Sequence, residues 1–431
     1  MPTTRGWTLI GAGAIVLSAG RLFGAQPLEQ LGFALIALVA IAAAVVNLGT
    51  HDLSVARRIV PERAHAGQPV TVTLEVRNEG RGAAPLVLIE DRFPQGLLGT
   101  ARFAIQGLEP SGERAARFVI RARRRGRYEI GPLNLSFVDP FSLARVRTQI
   151  SGVTGFLIHP RVENLTAPRD IGERRSMSSA ALRQPTTARG EDFYTLREYV
   201  EGDDLRKIHW PSTAKRSRYM IRQEETPWHN RATIVLDDGP MPYEGVHDGS
   251  SFERAVEAAA SFADHFHRSG YSYRLLGAHS PGVPAGRGSE HFVRCLDALA
   301  VLDLASSNRD DALLARLSGI ESSGGEAALV VVGGSLSADI ALALTRCRRS
   351  FRQVTAISFP AHRFSVQPTK ARWEGERQIA EAGRLLQAAG IRVVAMGPDD
   401  WLAPRWGALG ARVSRARSEG GDRWALKPEP V

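Results

Sequence analysis

Charge, aromatic side chains and a glycine turn are concentrated between residues 190 and 210, in the run Gly190-Glu191-Asp192-Phe193-Tyr194-Thr195-Leu196-Arg197-Glu198-Tyr199-Val200-Glu201-Gly202-Asp203-Asp204-Leu205-Arg206-Lys207-Ile208-His209-Trp210. His209 close to Asp203 and Asp204 has the ingredients of a general base oriented by a carboxylate. No nucleophile and no substrate pocket accompany it in the sequence. Gly324-Gly325 and Gly333-Gly334-Ser335 are glycine-rich, yet they lack the G-x-x-x-x-G-K-[ST] spacing that wraps backbone amides around phosphates. Ser335 also lacks the G-x-S-x-G elbow that exposes a serine nucleophile. His265 and His267 sit two apart in a helical pattern, so they point to different faces and make a poor metal pair. Cys295 and Cys347 are the only cysteines, with no C-x-x-C or Cys/His ligand spacing, which suits a reducing compartment.

These residues need elements to hold them. From Ala232 onward apolar strands alternate with helices. Ala232–Leu236 is a buried strand ending at Asp237, and Phe252–Ser269 carries Ala255, Val256, Ala259, Phe262 and Phe266 at helical spacing. Tyr271–Ala278, Ala327–Val332, Val354–Phe359 and Ile391–Met396 are further strands, with helices over His291–Leu302, Asp339–Arg348 and Gln378–Ala389. Continuous apolar strands between helices predict a parallel sheet covered on both faces. Ligands of such sheets bind at the carboxyl ends of the strands, which points to Asp237 and Gly333.

Upstream the period changes from 3.6 to 2. Val70–Arg77, Leu86–Ile89, Ala116–Ile120 and Leu133–Phe137 alternate between turn residues such as Asn78-Glu79-Gly80, the pattern of an immunoglobulin-like β-sandwich over residues 51–160. Residues 161–189 have no apolar period and read as a linker. Residues 51–168 hold 17 Arg against 11 Asp plus Glu. Within them Arg121, Arg123, Arg124, Arg125 and Arg127 form a run that reads as a solvated face, or as a patch for membrane lipid, where each basic group near anionic headgroups is worth about 1 kcal/mol. Nucleic-acid binding is not expected, because no stacking aromatics or recognition helix accompany the arginines.

The first 50 residues are the most apolar. Gly6–Gly20 is an uncharged run of 15 residues and Gln30–Thr50 one of 21, against the roughly 20 apolar residues a helix needs to cross a bilayer. Arg21 would snorkel to the headgroups. Alone, the first run also fits a signal peptide with Arg5 as its basic end; followed by a second span, it reads as a transmembrane helical hairpin. Arg5 before it and Arg57 and Arg58 after it place both ends and the bulk of the chain in the cytoplasm by the positive-inside rule.

The pattern G-x-x-F-x-x-L-R-x-Y-x-x-G-D-D-x-R-x-I-x-W in residues 190–210 resembles the signature of the DUF58 family of bacterial membrane-anchored proteins. Arg124-Arg125-Gly126-Arg127-Tyr128, Gly131-Pro132-Leu133 and Asp139-Pro140-Phe141 resemble its β-domain. The resemblance implies a von Willebrand factor A-like (Rossmann-like) α/β domain over residues 190–431, and no established enzymatic activity. A metal-binding domain of that type carries D-x-S-x-S after its first strand. Here the run is Asp237-Asp238-Gly239-Pro240-Met241, and the later aspartate is replaced by Gly333-Gly334-Ser335. Asp237 and Asp238 therefore read as a degenerate metal site with no cofactor, although Asp238 and water could restore Mg²⁺ binding.

The signature itself has a mechanical reading. Gly202 turns the chain, Asp203 or Asp204 caps a short helix bearing Arg206 and Lys207, and Ile208 and Trp210 bury against the sheet, clamping the linker to the C-terminal domain. The other reading makes Arg197, Tyr199, Gly202, Asp203, Asp204, Arg206 and Trp210 a surface for a partner. The resemblance implies a MoxR-type AAA+ ATPase, with a transglutaminase-like membrane protein as a further partner. The expected function is thus a membrane-anchored, multi-pass, non-enzymatic scaffold in a cell-envelope or stress-related process. The alternative is a metal-dependent ligand-binding or hydrolytic module around Asp237 and Asp238.

Overall fold

The computed structural model describes residues 1–48, 52–84, 86–99, 101–150, 152–166, 194–199, 208–216, 218–224, 229–240, 243–245, 249–305, 311–322, 325–334, 336–364 and 369–407. They form two compact units, divided between Arg161 and Val162.

The first unit opens with helices α1 (Thr4–Phe23) and α2 (Gln26–Leu48). Thr3 caps α1 by accepting the Gly6 N–H, and Gly24 ends it at φ 68°. The turn is thus only Gly24 and Ala25; Arg21 and Glu29 lie within the helices. Three buried glycines spaced by seven, Gly6, Gly13 and Gly20, run down α1. A Cβ on Gly13 would meet the Gly32 carbonyl at 3.0 Å, and one on Gly32 would meet the Leu17 amide at 2.6 Å. Small residues along this seam let the two helix backbones touch. Outside that seam the pair bares large apolar side chains, with Ile15 73% and Ile41 60% exposed.

Eleven strands follow: β1 (Leu53–Val60), β2 (Arg63–His65), β3 (Pro69–Asn78), β4 (Leu86–Asp91), β5 (Leu97–Leu98), β6 (Arg102–Ile105), β7 (Glu113–Ala122), β8 (Gly126–Ile130), β9 (Leu133–Val138), β10 (Arg145–Ile150) and β11 (Thr154–His159). Two antiparallel sheets, ordered β1-β3-β7-β5 and β10-β9-β4-β6, accompany a small third, β2-β11-β8. Val70, Val72, Leu74 and Val76 of one sheet and Val87, Ile89, Leu133, Leu135 and Phe137 of the other share one core, as alternate residues of half-buried strands must. A buried ion pair, Arg57 Nη2 to Asp91 Oδ1 at 2.8 Å, ties β1 to β4. Of the basic run, Arg125 is buried, whereas Arg121, Arg123, Arg124 and Arg127 are exposed at the β7–β8 turn.

The second unit contains a hairpin, β12 (Tyr194–Glu198) and β13 (Met220–Glu224), with helix α3 (Trp210–Arg216) between them in sequence. Next come β14 (His229–Leu236), α4 (Ser251–Arg268), β15 (Ser272–Gly277), β16 (Val283–Gly286), α5 (Gly288–Ala300), α6 (Ala312–Glu321), β17 (Glu326–Gly333), α7 (Ala338–Cys347), β18 (Phe351–Ser358), α8 (Thr369–Ala388) and β19 (Arg392–Ala395). The sheet order is β16-β15-β14-β17-β18-β19, parallel throughout except for β16. Ile234, Leu236, Val330 and Val332 face α4 and α5; Val235, Leu329 and Val331 face α6, α7 and α8. Helix α6 and the antiparallel strand β16 were not expected from the sequence. Val162 and Leu165, in the stretch read as linker, pack into this core, and the Glu163 N–H donates to Ser261 Oγ at 2.9 Å. The rest of that stretch, residues 167–189, lies outside the described residues.

Candidate functional site

The strand order reverses direction between β14 and β17, the place at which sheets of this kind bind their ligands, outside the carboxyl ends of the strands. Asp237 directly follows β14 and Gly333 ends β17, where the sequence predicts them. The chain there is held by its own amides: Asp237 N–H donates to Val332 O at 2.8 Å, and Phe359 N–H to Gly333 O at 2.8 Å. Asp237 Oδ1 accepts the Gly239 N–H at 3.1 Å, and the Tyr243 hydroxyl donates to the Asp237 carbonyl. Burial raises the Asp237 pKa to about 6, against the Gly239 hydrogen bond; Asp238 adds to the rise and His279 opposes it.

Asp238 is spent differently. Its Oδ1 accepts the His279 N–H at 2.7 Å and its Oδ2 the Ser280 N–H at 3.0 Å, with His279 Nδ1 3.3 Å from Oδ1. This carboxylate ties the end of β15 to the end of β14. His279 and Tyr243 were missed in the sequence, although the rule that found Asp237 also applies to His279 at the end of β15. The neighbouring cavity, lined by Leu236, Leu275, Gly277, Ser280 and Leu299, holds about 30 Å³, room for a water or two and not for a substrate. Among the described residues no three His, Cys, Asp or Glu side chains are grouped to hold a metal. Met241 and Ser335 lie outside the described residues.

The other titratable candidates serve the fold. His265 Nδ1 lies 3.0 Å from the Leu165 carbonyl, while His267 stacks on Phe292 with ring centroids 5.1 Å apart, so the two point apart as expected. Burial pushes the Cys295 thiol up to about 12 and Cys347 up to about 11, leaving both unreactive.

In the signature segment, β12 pairs with β13 from Tyr194↔Glu224 to Glu198↔Met220, which sets Arg197 opposite Ile221. Tyr199 extends the hairpin through its N–H to Tyr219 O at 2.9 Å, and the two rings meet edge to face at 6.4 Å. Helix α3 is fastened at its start and middle: His209 N–H donates to Met220 O, His209 O accepts from the Ser212 and Thr213 N–H groups, and Met220 N–H donates to Thr213 Oγ1 at 3.0 Å. His209 Nδ1 is 2.9 Å from Ser212 Oγ. Gly202, Asp203, Asp204, Arg206 and Lys207, with the expected cap, lie outside the described residues. One expectation is overturned. Trp210 is not buried against the sheet but 64% exposed, at the first position of α3, and Tyr219 is 57% exposed. Ile208 is half-buried. The first turn of α3 is held by backbone bonds at His209, so the indole is not needed to fix it.

Residues 195–363 match the family model described as "Protein of unknown function DUF58". No curated protein matches the chain. Solved structures with some likeness include the CARDB domain of a Pyrococcus furiosus protein (17% identity, 25% of this chain and 90% of that one, TM-score 0.19). Others are a FixG-related protein from Vibrio parahaemolyticus (10%, 25% and 98%, 0.18) and a non-cellulosomal cohesin from Archaeoglobus fulgidus (12%, 24% and 91%, 0.17). The match runs from β12 through β18, and over these residues the chain is similar to the DUF58 family.

Proposed function

We propose that this chain is a membrane-anchored, non-enzymatic scaffold, with α1 and α2 as a bilayer-spanning hairpin and the bulk of the chain in the cytoplasm. On this reading the β-rich region is an immunoglobulin-like module and the second unit a von Willebrand factor A-like domain with a degenerate metal site. The partner is a MoxR-type AAA+ ATPase, with a transglutaminase-like membrane protein as a further member, in a cell-envelope or stress-related process. The observation that carries the docking role is the exposed Trp210 within the family signature. A large aromatic bared on a helix held by other contacts adds little to the fold, and aromatic and arginine side chains dominate binding hot spots. The membrane reading is supported by two helices long and apolar enough to span, whose large side chains face outward while glycines face each other. Engagement of both Asp238 oxygens by backbone amides supports a structural role for that carboxylate.

The test is recovery of the ATPase with the full chain from native membranes, comparing Trp210→Ala, Arg197→Ala and Arg206→Ala with the parent. Trp210→Ala should fold normally and recover at least tenfold less ATPase. Equal recovery by all three variants would remove the signature as the docking surface. For the metal alternative, a saturable Mg²⁺ stabilisation lost in Asp237→Ala would support it over the scaffold.

A further inference from the structure

The loop between β9 and β10 is built as a platform. Asp139 is buried; its carboxylate accepts the Phe141 N–H at 2.9 Å and the Ala144 N–H, while Ser142 takes a positive φ of 61°. The same loop is zipped to the residues before α1. Pro2 bridges Ala144, Thr3 N–H donates to Leu143 O at 2.8 Å and Arg145 N–H to Met1 O at 2.9 Å, and Thr3 Oγ1 donates to Ser142 O at 2.6 Å. Gly6, in the first turn of α1, lies so close to Leu143 that a Cβ there would collide with its carbonyl oxygen.

From this platform Phe141 stands 65% exposed, and Trp7, next to Gly6, is 63% exposed. A 20-residue helix such as α1 is about 30 Å long, the thickness of a bilayer's hydrocarbon core. Its first turn therefore falls where acyl chains meet headgroups, the depth at which the amphipathic ring of a tryptophan is favoured and an exposed phenylalanine can bury as an apolar anchor. Phe141 is two residues from Leu143, so its backbone lies within about 7 Å of that level. Arg5 and Arg147 are exposed on the same two segments, within reach of headgroup phosphates.

We propose that the Phe141 loop is a lipid-contacting site that seats the β-rich region on the bilayer surface at the leaflet where α1 begins. This rests on the bilayer-spanning reading of the hairpin. The occupant is the acyl–headgroup boundary, because the exposed aromatic stands two residues from the Gly6–Leu143 contact that fixes its loop to the first turn of the apolar helix. The clamp from Met1 to Arg145 makes the seat rigid, so the region is held at a fixed height.

Spin labels at Phe141→Cys and Ile15→Cys, in the full chain reconstituted into phosphatidylcholine–phosphatidylglycerol vesicles, test this by accessibility to oxygen against a water-soluble nickel chelate. Cys295 and Cys347 are buried, and the unsubstituted chain gives the background. The expected result is an oxygen-to-nickel ratio at 141 at least threefold above that of a fully aqueous label, and below that at 15. Immersion at 15 with an aqueous value at 141 would overturn the proposal and leave the hairpin reading standing. Aqueous values at both positions would overturn the hairpin reading and the proposal with it. Exclusion of both reagents at 141 would indicate a protein neighbour, such as a second copy, and also overturn it. Asp139→Ala, which releases the platform, should return the label at 141 toward the aqueous value.

Discussion

Replacing Asp237 with Asn should stabilise the second unit, and only above a defined pH. Burial holds this carboxyl at about 6 instead of 3.8. With about 1.4 kcal/mol for each pH unit of displacement, ionising it in the folded state costs about 3 kcal/mol. Because the folded value is raised, the stabilising contribution of the protonated form is complete below pH 3.8 and is lost as pH rises through 6. Asparagine keeps an oxygen for the Gly239 N–H and carries no charge. The two proteins should therefore match near pH 4 and diverge up to pH 7, where the variant gains up to about 3 kcal/mol. Hydrogen exchange of β14 and β17 amides in the full chain, compared between proteins at each pH, reads this locally. About a hundredfold slower exchange at pH 7 and no difference at pH 4 is expected. A variant less stable at pH 7, or a difference independent of pH, would refute the reasoning and point to a required charge such as a cation ligand.

Gly32→Val places a side chain against the Leu17 amide and the Gly13 carbonyl and should open the α1–α2 seam, seen as protease sensitivity of the hairpin in detergent. Gly11→Ala, with nothing within 4 Å, should be silent. Arg57→Ala leaves the buried Asp91 without its partner and should cost about 3 to 5 kcal/mol in the melting transition of the β-rich region; the pair Arg57→Met with Asp91→Leu should recover much of that loss. Trp210→Ala, removing an exposed side chain, should cost within about 0.5 kcal/mol, against the 3 to 5 kcal/mol expected for a buried tryptophan, as measured by melting of the full chain.

Period and length made most elements legible. The alternation in β3 and the unbroken apolar runs of β14 and β17 each admit one packing, half-buried in the first case and buried on both faces in the second. Strand β16 was illegible because its four residues, Val283–Gly286, with Pro284 among them, carry no period of their own; its place on the edge is set by pairing with β15. Asp237 was legible because it ends a buried strand. What Asp238 does was not, since its partners His279 and Ser280 come from the loop after β15, 41 and 42 residues away. Trp210 shows the converse. An aromatic in a recurring pattern suggests burial, yet burial is decided by neighbours, and here the helix is held without it.

The proposed function makes residues 190–210 a docking surface for an ATPase on a chain held at the membrane. Placing the photo-crosslinker benzoylphenylalanine at position 210 of the full chain and irradiating native membranes tests it most directly. The expected product, identified by mass spectrometry, is a covalent adduct with a MoxR-type AAA+ ATPase that stays with the membrane through an alkaline wash. An adduct only with the chain itself, or an adduct released into the soluble fraction by that wash, would contradict the claim.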